Sequence, residues 1–323
     1  MNQKNIFLTG HRGMVGSAVY KHLLNESSSN VIVANKSEVD LLDWVSVDNF
    51  FSNNLIDLVI HVAAKVGGIS AVKNNPYDFL YENLQIQNNV LSIAANHNIT
   101  KLLFIGSSCI FPRDCSQPMR EEYLLTGPLE KTLEPFALAK ICGIKMCQAI
   151  NQKYGFDYRS LMPSNLYGPN DNFSLETSHV IPAIIRKLNS AKVDNKKSIE
   201  LWGTGNPIRE FLHVNDFAEA ITFVNQIPKK IYNQVIQNEY PFLNTGTGHE
   251  IKISDLANKI AKIVGYEGDI NFNSDFPDGT PRKVLNIDKL EKLGWKSKIG
   301  LTDGLSSTFK WFQENANTFR DLN

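Results

Sequence analysis

The feature that most narrows what this chain can fold into lies in its first sixteen residues. A short apolar run, residues 5–9, leads into Gly10-His11-Arg12-Gly13-Met14-Val15-Gly16, and a helical pattern follows at once. Glycines at a strand-to-helix turn permit positive φ and let backbone N–H groups and the positive end of a helix approach a pyrophosphate. Purely structural turns also use glycine, but here strand, turn and helix stand in the order that phosphate binding requires. The first half of the chain keeps this rhythm. Residues 14–25 read as helix, 31–34 and 58–63 as strands, 80–96 as helix, 102–105 as strand and 135–154 as a long helix. Short, continuously apolar strands alternating with helices predict an α/β doubly wound parallel sheet covered on both faces, with ligands at the carboxyl ends of its strands.

Beyond residue 163 the rhythm loosens into LYGPNDNF, a helix near 180–188, WGTGNPIREF, NTGTGHEIKI and PDGTPRK. Gly, Pro and Asn punctuate these stretches, which suits a smaller lobe of loops and short elements. Residues 211–224 look like a return to the main sheet. The expected division is therefore 1–166 plus about 208–239 for the sheet domain, and about 167–207 plus 240–323 for the lobe. With 42% hydrophobic residues in 323, the chain can bury cores for both. Lys+Arg and Asp+Glu number 33 each, so no overall field draws it to nucleic acid or to an anionic membrane, and an anionic ligand must be held locally. Cys109, Cys115, Cys142 and Cys147 lack the spacing of a zinc site and are too few to staple a chain this long, so no metal and a reduced, cytoplasmic setting are expected. The opening apolar run is too short for a signal h-region or a membrane span.

A carboxylate after the second strand would bind the ribose 2′-OH of NAD. The chain reads Ala34-Asn35-Lys36-Ser37 there, with Arg12 in the glycine loop. Two cations favour a 2′-phosphate, hence NADP(H), although a lysine at a strand end is also ordinary solvated surface. Ser107-Ser108 follows the strand 102–105, and Pro135-Phe136-Ala137-Leu138-Ala139-Lys140 comes about thirty residues later. In extended short-chain dehydrogenases/reductases the pattern is Ser/Thr, then Tyr-x-x-x-Lys. That spacing puts Tyr and Lys on one face of a helix, where the lysine eases proton donation by the phenol to a nascent alkoxide. Phe136 stands where the tyrosine belongs.

Taken together, GHRGMVGSAV, AAKVGGI, GSSCIFP, the stretch 135–145, MPSNLYGPNDNF, SHVIPA, REFLHVND and PDGTPRK resemble the GDP-L-fucose synthases, which are GDP-4-keto-6-deoxy-mannose 3,5-epimerase/4-reductases, from residue 3 to about residue 316. The resemblance implies a Rossmann domain, a smaller nucleotide-sugar lobe and a homodimer formed through two long helices. It places Gly10, Arg12, Gly13, Met14, Val15, Gly16, Lys36, Ala63, Ala64, Lys140 and Asn165 against the cofactor. Ser107 matches the catalytic serine, Lys140 the lysine and Phe136 the missing tyrosine. Cys109 and His179 match the epimerisation pair. A 4-keto group acidifies the protons at C3 and C5, so one group must remove a proton and another return it from the opposite face, and Cys and His can both exchange protons near neutrality. Val180, Trp202, Arg209 and Lys283 fall at the GDP end: the indole offers a stacking face for guanine or ribose, and the cations suit the diphosphate. The remaining histidines receive no catalytic role.

The resemblance therefore implies an NADPH-dependent C4 reductase of a GDP-linked 4-keto-6-deoxy sugar, with possible epimerisation at C3 and C5. A relative acting on a GDP-4-keto-6-deoxy-heptose as a C4 reductase alone fits the same motifs, since one more carbon changes pocket shape. A non-catalytic nucleotide-sugar and NADP binding protein is the alternative of another class, because the acid is missing. Decay into a binding protein would erode several catalytic positions. A single Tyr→Phe change in an active reductase, of the kind made to trap ligands, fits better with a site otherwise intact.

Overall fold

The computed structural model describes residues 3–26, 29–174, 177–236, 239–276 and 278–316. The first half runs β1 (Lys4–Thr9), α1 (Met14–Leu24), β2 (Ser29–Ile32), α2 (Trp44–Asn53), β3 (Leu58–His61), α3 (Ile69–Asn74), α4 (Pro76–Asn96), β4 (Lys101–Ile105), α5 (Glu134–Tyr154) and β5 (Asp157–Pro163). The second runs β6 (Asn165–Tyr167), α6 (Val180–Val193), β7 (Ser198–Trp202), β8 (Ile208–His213), α7 (Val214–Gln226), α8 (Lys229–Val235), β9 (Leu243–Thr245), β10 (Glu250–Lys252), α9 (Ile253–Val264), β11 (Asp269–Asn273), β12 (Arg282–Lys283), α10 (Asp288–Lys292) and α11 (Leu301–Glu314).

The main sheet has the order β2-β1-β3-β4-β5-β9, every pair parallel. Its strands are apolar on both faces because each face carries a helical layer. Phe7, Val59, Leu102 and Phe104 point into one core with α2, α4 and α5, whereas Ile6, Leu8, Ile60, Leu103 and Ile105 point into a second core with α1 and α7. The period of two along each strand assigns these sides. Strand order reverses around β1, so a crevice opens at the carboxyl ends of β1 and β3, where doubly wound sheets bind ligands. A third core, built from Ile184 and Leu188 of α6, Leu256 and Ile260 of α9 and Leu305 and Phe309 of α11, lies apart from the main sheet.

Two segments depart from the sequence reading. β8 does not return to the main sheet; it pairs with β6, β10 and β12 in a separate four-stranded sheet, and only α7 after it packs back, in the core it shares with α1. β9, expected in the lobe, is instead the edge strand beside β5. Side-chain polarity decides this placement. Buried Asn244 of β9 donates its side-chain amide to the Met119 and Asn286 carbonyls and its backbone N–H to the Glu121 carboxylate, so its donors are paired at that edge. Among the described residues no helix is long and apolar enough to cross a membrane, and no group of three His, Cys, Asp or Glu could hold a metal.

Candidate active site

The turn after β1 is built around its glycines. Gly10 has φ 72°, and a Cβ there would lie 2.9 Å from the Ala63 nitrogen; a Cβ on Gly16 would lie 2.0 Å from the Gly10 carbonyl oxygen. The turn itself demands both. Gly13 differs, because a Cβ there would meet nothing nearer than the Gly10 oxygen at 3.6 Å. Gly13 caps α1 without a side-chain partner, so the first-turn N–H groups of Met14 and Val15 lie at the positive end of the helix, on a surface that a Cβ at Gly13 would narrow. A dinucleotide pyrophosphate fits that cradle. Thr9 holds the crevice in shape: its hydroxyl oxygen accepts the Val62 and Ala63 N–H groups at 3.1 and 3.0 Å, which draws Ala63 against Gly10. With its lone pairs so used, the Thr9 hydroxyl donates to His61 Nδ1, 3.0 Å away. Burial, helped by the nearby Lys140 charge, pushes the His61 pKa down to about 3, so this imidazole stays neutral as part of the scaffold.

Arg12 and Lys36 are both exposed, one in the glycine loop and one after β2, and these loops are neighbours because β1 and β2 pair. The closest carboxylate in sequence, Glu38, accepts the Asn35 N–H at 2.6 Å and so is turned onto its own turn.

On α5, Phe136 and Lys140 share a face as the spacing requires: Lys140 Nζ lies 5.8 Å from the Phe136 ring centroid and 4.9 Å from that of Phe104. Lys140 is buried and donates to the Ile105 carbonyl at 2.8 Å, which ties α5 to the carboxyl end of β4. Burial lowers its pKa to about 8. The half-buried Phe136 ring packs edge-on against Phe79 and offers no proton. Ser107 begins the turn after β4, and its hydroxyl accepts the Cys109 N–H at 3.4 Å.

Cys109 is buried, and burial pushes its thiol pKa up; Lys283, a hydrogen bond with Ser107 and Lys140 oppose that shift. His179 stands at the N-terminus of α6 and is exposed. The surrounding protein lowers its pKa, and Lys283 adds to the effect. Lys283 thus faces Cys109 and His179 together, as well as Arg209, its register partner across β8 and β12. These directions favour a protonated thiol and a neutral imidazole. Asn165, half-buried at the start of β6, donates to the Glu210 carbonyl at 2.8 Å and is held by the sheet.

Farther out, Val180 opens α6, Arg209 is half-buried on β8 and Trp202 ends β7 with its indole exposed. The structure adds three residues that sequence reasoning missed. Lys187 Nζ lies 5.7 Å from the Trp202 centroid, Phe276 stacks on that indole, and the Asp278 carboxylate acts on Arg209. Two signals were present: Lys187 is seven residues from Val180 on one helix face, and Asp278 lies inside PDGTPRK.

Residues 6–236 match the NAD dependent epimerase/dehydratase family. The chain is 46% identical over 320 residues to the GDP-L-fucose synthase of Escherichia coli (strain K12), covering 99% of this chain and 100% of that one. Among solved structures it is similar to a GDP-6-OMe-4-keto-L-xylo-heptose reductase from C. jejuni, with TM-score 0.89, 31% identity and coverage of 98% and 99%. It is also similar to the GDP-mannoheptose C4 reductase of Campylobacter jejuni with NADP bound, with TM-score 0.87, 33% identity and coverage of 97% and 99%. The glycine turn opening α1, the Ser107 and Lys140 pair at the end of β4 and this similarity over nearly the whole chain agree: the chain belongs to the NAD dependent epimerase/dehydratase family and, within it, to the group of GDP-L-fucose synthase-like proteins.

Proposed function

We propose that this chain is an NADPH-dependent reductase of a GDP-linked 4-keto-6-deoxy sugar, that it epimerises C3 and C5 before reducing C4, and that Phe136 leaves the reductive step without its acid. The observation that carries this reading is the convergence of two proton-handling sets on Cys109, which lies beside Ser107 and Lys140 on one side and beside Lys283, the cation that also acts on His179, on the other. Arg209 and Lys283 hold the diphosphate, Trp202 the nucleoside, and Val180 shapes the sugar end. Gly10 to Gly16, Ala63, Ala64 and Asn165 hold the cofactor. The chain acts as a homodimer through α4 and α5, whose outward faces carry the exposed Tyr77, Tyr81 and Leu138.

NADPH, when bound, supplies the hydride for C4. Before that step, one member of the Cys109–His179 pair takes the proton at C3 or C5, the 4-keto group holds the resulting charge as an enolate, and the other member returns a proton to the opposite face. Lys283 favours this division because a positive charge beside both groups opposes protonation of the imidazole and eases ionisation of the thiol. At the reductive step the Ser107 hydroxyl donates a hydrogen bond to the C4 oxygen, and the Lys140 ammonium stabilises the alkoxide by charge.

Reaction of GDP-4-keto-6-deoxy-mannose with NADPH, followed by NMR of the product, tests the reading. Inversion at C3 and C5 together with reduction at C4 is expected. A product reduced at C4 with both centres unchanged assigns the heptose-type reductase activity instead.

Cofactor choice follows from Arg12 and Lys36. Each charge-assisted hydrogen bond to a 2′-phosphate contributes roughly 1.5 to 3 kcal/mol, so NADPH binds more tightly than NADH. Equal dissociation constants for the two by calorimetric titration would contradict the assignment of these two residues.

Residual reduction depends on pH through Lys140. A lysine with its pKa lowered to about 8 is a cation below that pH and loses the charge above it. Single-turnover reduction therefore falls as pH rises from 7 to 9.5, with its midpoint near 8. A profile flat over that range removes Lys140 from the charge stabilisation.

A further inference from the structure

The Trp202 indole is 64% exposed, yet it is not loose. Phe276 stacks on it with ring centroids 4.6 Å apart and planes 9° from parallel. Phe276 is itself 38% exposed, so the pair leaves much of its apolar surface in water, and withdrawal from solvent does not account for it.

The neighbouring backbone is built to hold the two rings together. β7 and β11 run parallel with Trp202 beside Asn273, which brings the chain after β11 alongside the indole. Asp278 then clasps the turn that follows Trp202: one carboxylate oxygen accepts the Thr204 N–H at 2.9 Å and the other accepts the Thr204 hydroxyl at 2.6 Å. Gly203 has φ 82°, and a Cβ there would lie 2.4 Å from the Asp278 oxygen, so only glycine allows the clasp to close. Lys187 donates to the Glu200 carbonyl at 2.9 Å, and its ammonium lies 5.7 Å from the indole centroid. One face of Trp202 is thus backed by a ring, the indole stays 64% exposed, and the Lys187 ammonium over it is a cation within reach of an anionic tail.

We propose that Phe276 is a positioning residue for the base of the nucleotide sugar: it fixes the indole so that a purine stacks on the open face of Trp202 as the third ring of a ladder. The inference rests on the reading of the substrate as a GDP-linked sugar. A flat ring held from behind loses no further freedom when a base lands on it, and a bicyclic purine covers an indole more fully than a pyrimidine does. Phe276 thereby contributes to selection of GDP-linked over UDP-linked sugars.

Isothermal titration with GDP, UDP, inorganic pyrophosphate and NADPH tests this. The unaltered chain should bind GDP more tightly than UDP. Phe276→Ala should weaken GDP binding about three- to tenfold, as expected for loss of an aromatic stack, and shrink the GDP-to-UDP ratio, while pyrophosphate and NADPH bind as before. Phe276→Tyr should restore the ratio. Unchanged GDP affinity in Phe276→Ala, with Trp202→Ala weakened, overturns the inference and leaves the proposed function standing. Equal loss of GDP, UDP and pyrophosphate binding also overturns it, because the role is then structural. If the unaltered chain binds none of GDP, UDP and pyrophosphate, the substrate reading falls and takes the inference with it.

Discussion

Phe136→Tyr raises the reductase kcat by about 10² to 10⁴, the usual yield of a general acid, which corresponds to roughly 3 to 5 kcal/mol of barrier. The tyrosine adds one hydroxyl to a ring that is only half-buried and already packed edge-on against Phe79, so no repacking opposes it. Lys140 is held 5.8 Å from that ring centroid by its bond to the Ile105 carbonyl, and its charge favours ionisation of the new phenol. Substrate affinity changes little, because the hydroxyl acts on charge that develops only as hydride arrives. NADPH oxidation with the 4-keto sugar nucleotide, measured for both proteins, checks this. A tyrosine variant no faster than the Phe136 chain means that the proton at the C4 oxygen comes from elsewhere.

Cys109→Ser abolishes proton exchange at substrate C3 and C5, or slows it by at least about 10². The chain with Phe136 is expected to perform this exchange in deuterated water without any hydride transfer, since the proposed mechanism gives the tyrosine no part in it. A hydroxyl in the same buried position has too high a pKa to carry the proton, even with Lys283 beside it. NMR of the recovered sugar nucleotide measures the deuterium. If the unaltered chain binds substrate and exchanges nothing, Cys109 and His179 are not the epimerisation pair and the chain is a reductase alone.

These two predictions differ in how much of their geometry the sequence already contains. The i, i+4 spacing of Phe136 and Lys140 sets their common face, because helical φ and ψ leave no other arrangement. The glycine turn between β1 and α1 was legible for the same reason: its demands come from atoms close in sequence, such as Gly10 and Gly16. The parallel sheet could be read from apolar strands alternating with helices. The pairing of Cys109 with His179 could be taken from motif resemblance, but that Lys283, expected at the GDP end, acts on both could not, since three separate elements bring them together.

By itself, then, the sequence determined the order of strands and helices, the phosphate-facing turn and the faces on which the chemical groups ride. All of these follow from backbone dihedrals within a few residues. Only the tertiary structure decided which sheet each short strand joins. β9 is held at the edge of the main sheet beside β5, where Asn244 bonds to Glu121, whereas β8 joins β6, β10 and β12 in the separate sheet, and no local pattern encodes a free edge. It also decided the chemistry of the charges. Lys140 titrates near 8, and His61 stays neutral, because packing removes water from them. Phe276 reaches Trp202 because Asp278 closes on Thr204 across a gap that Gly203 leaves open, and that contact exists only once both strands are in place.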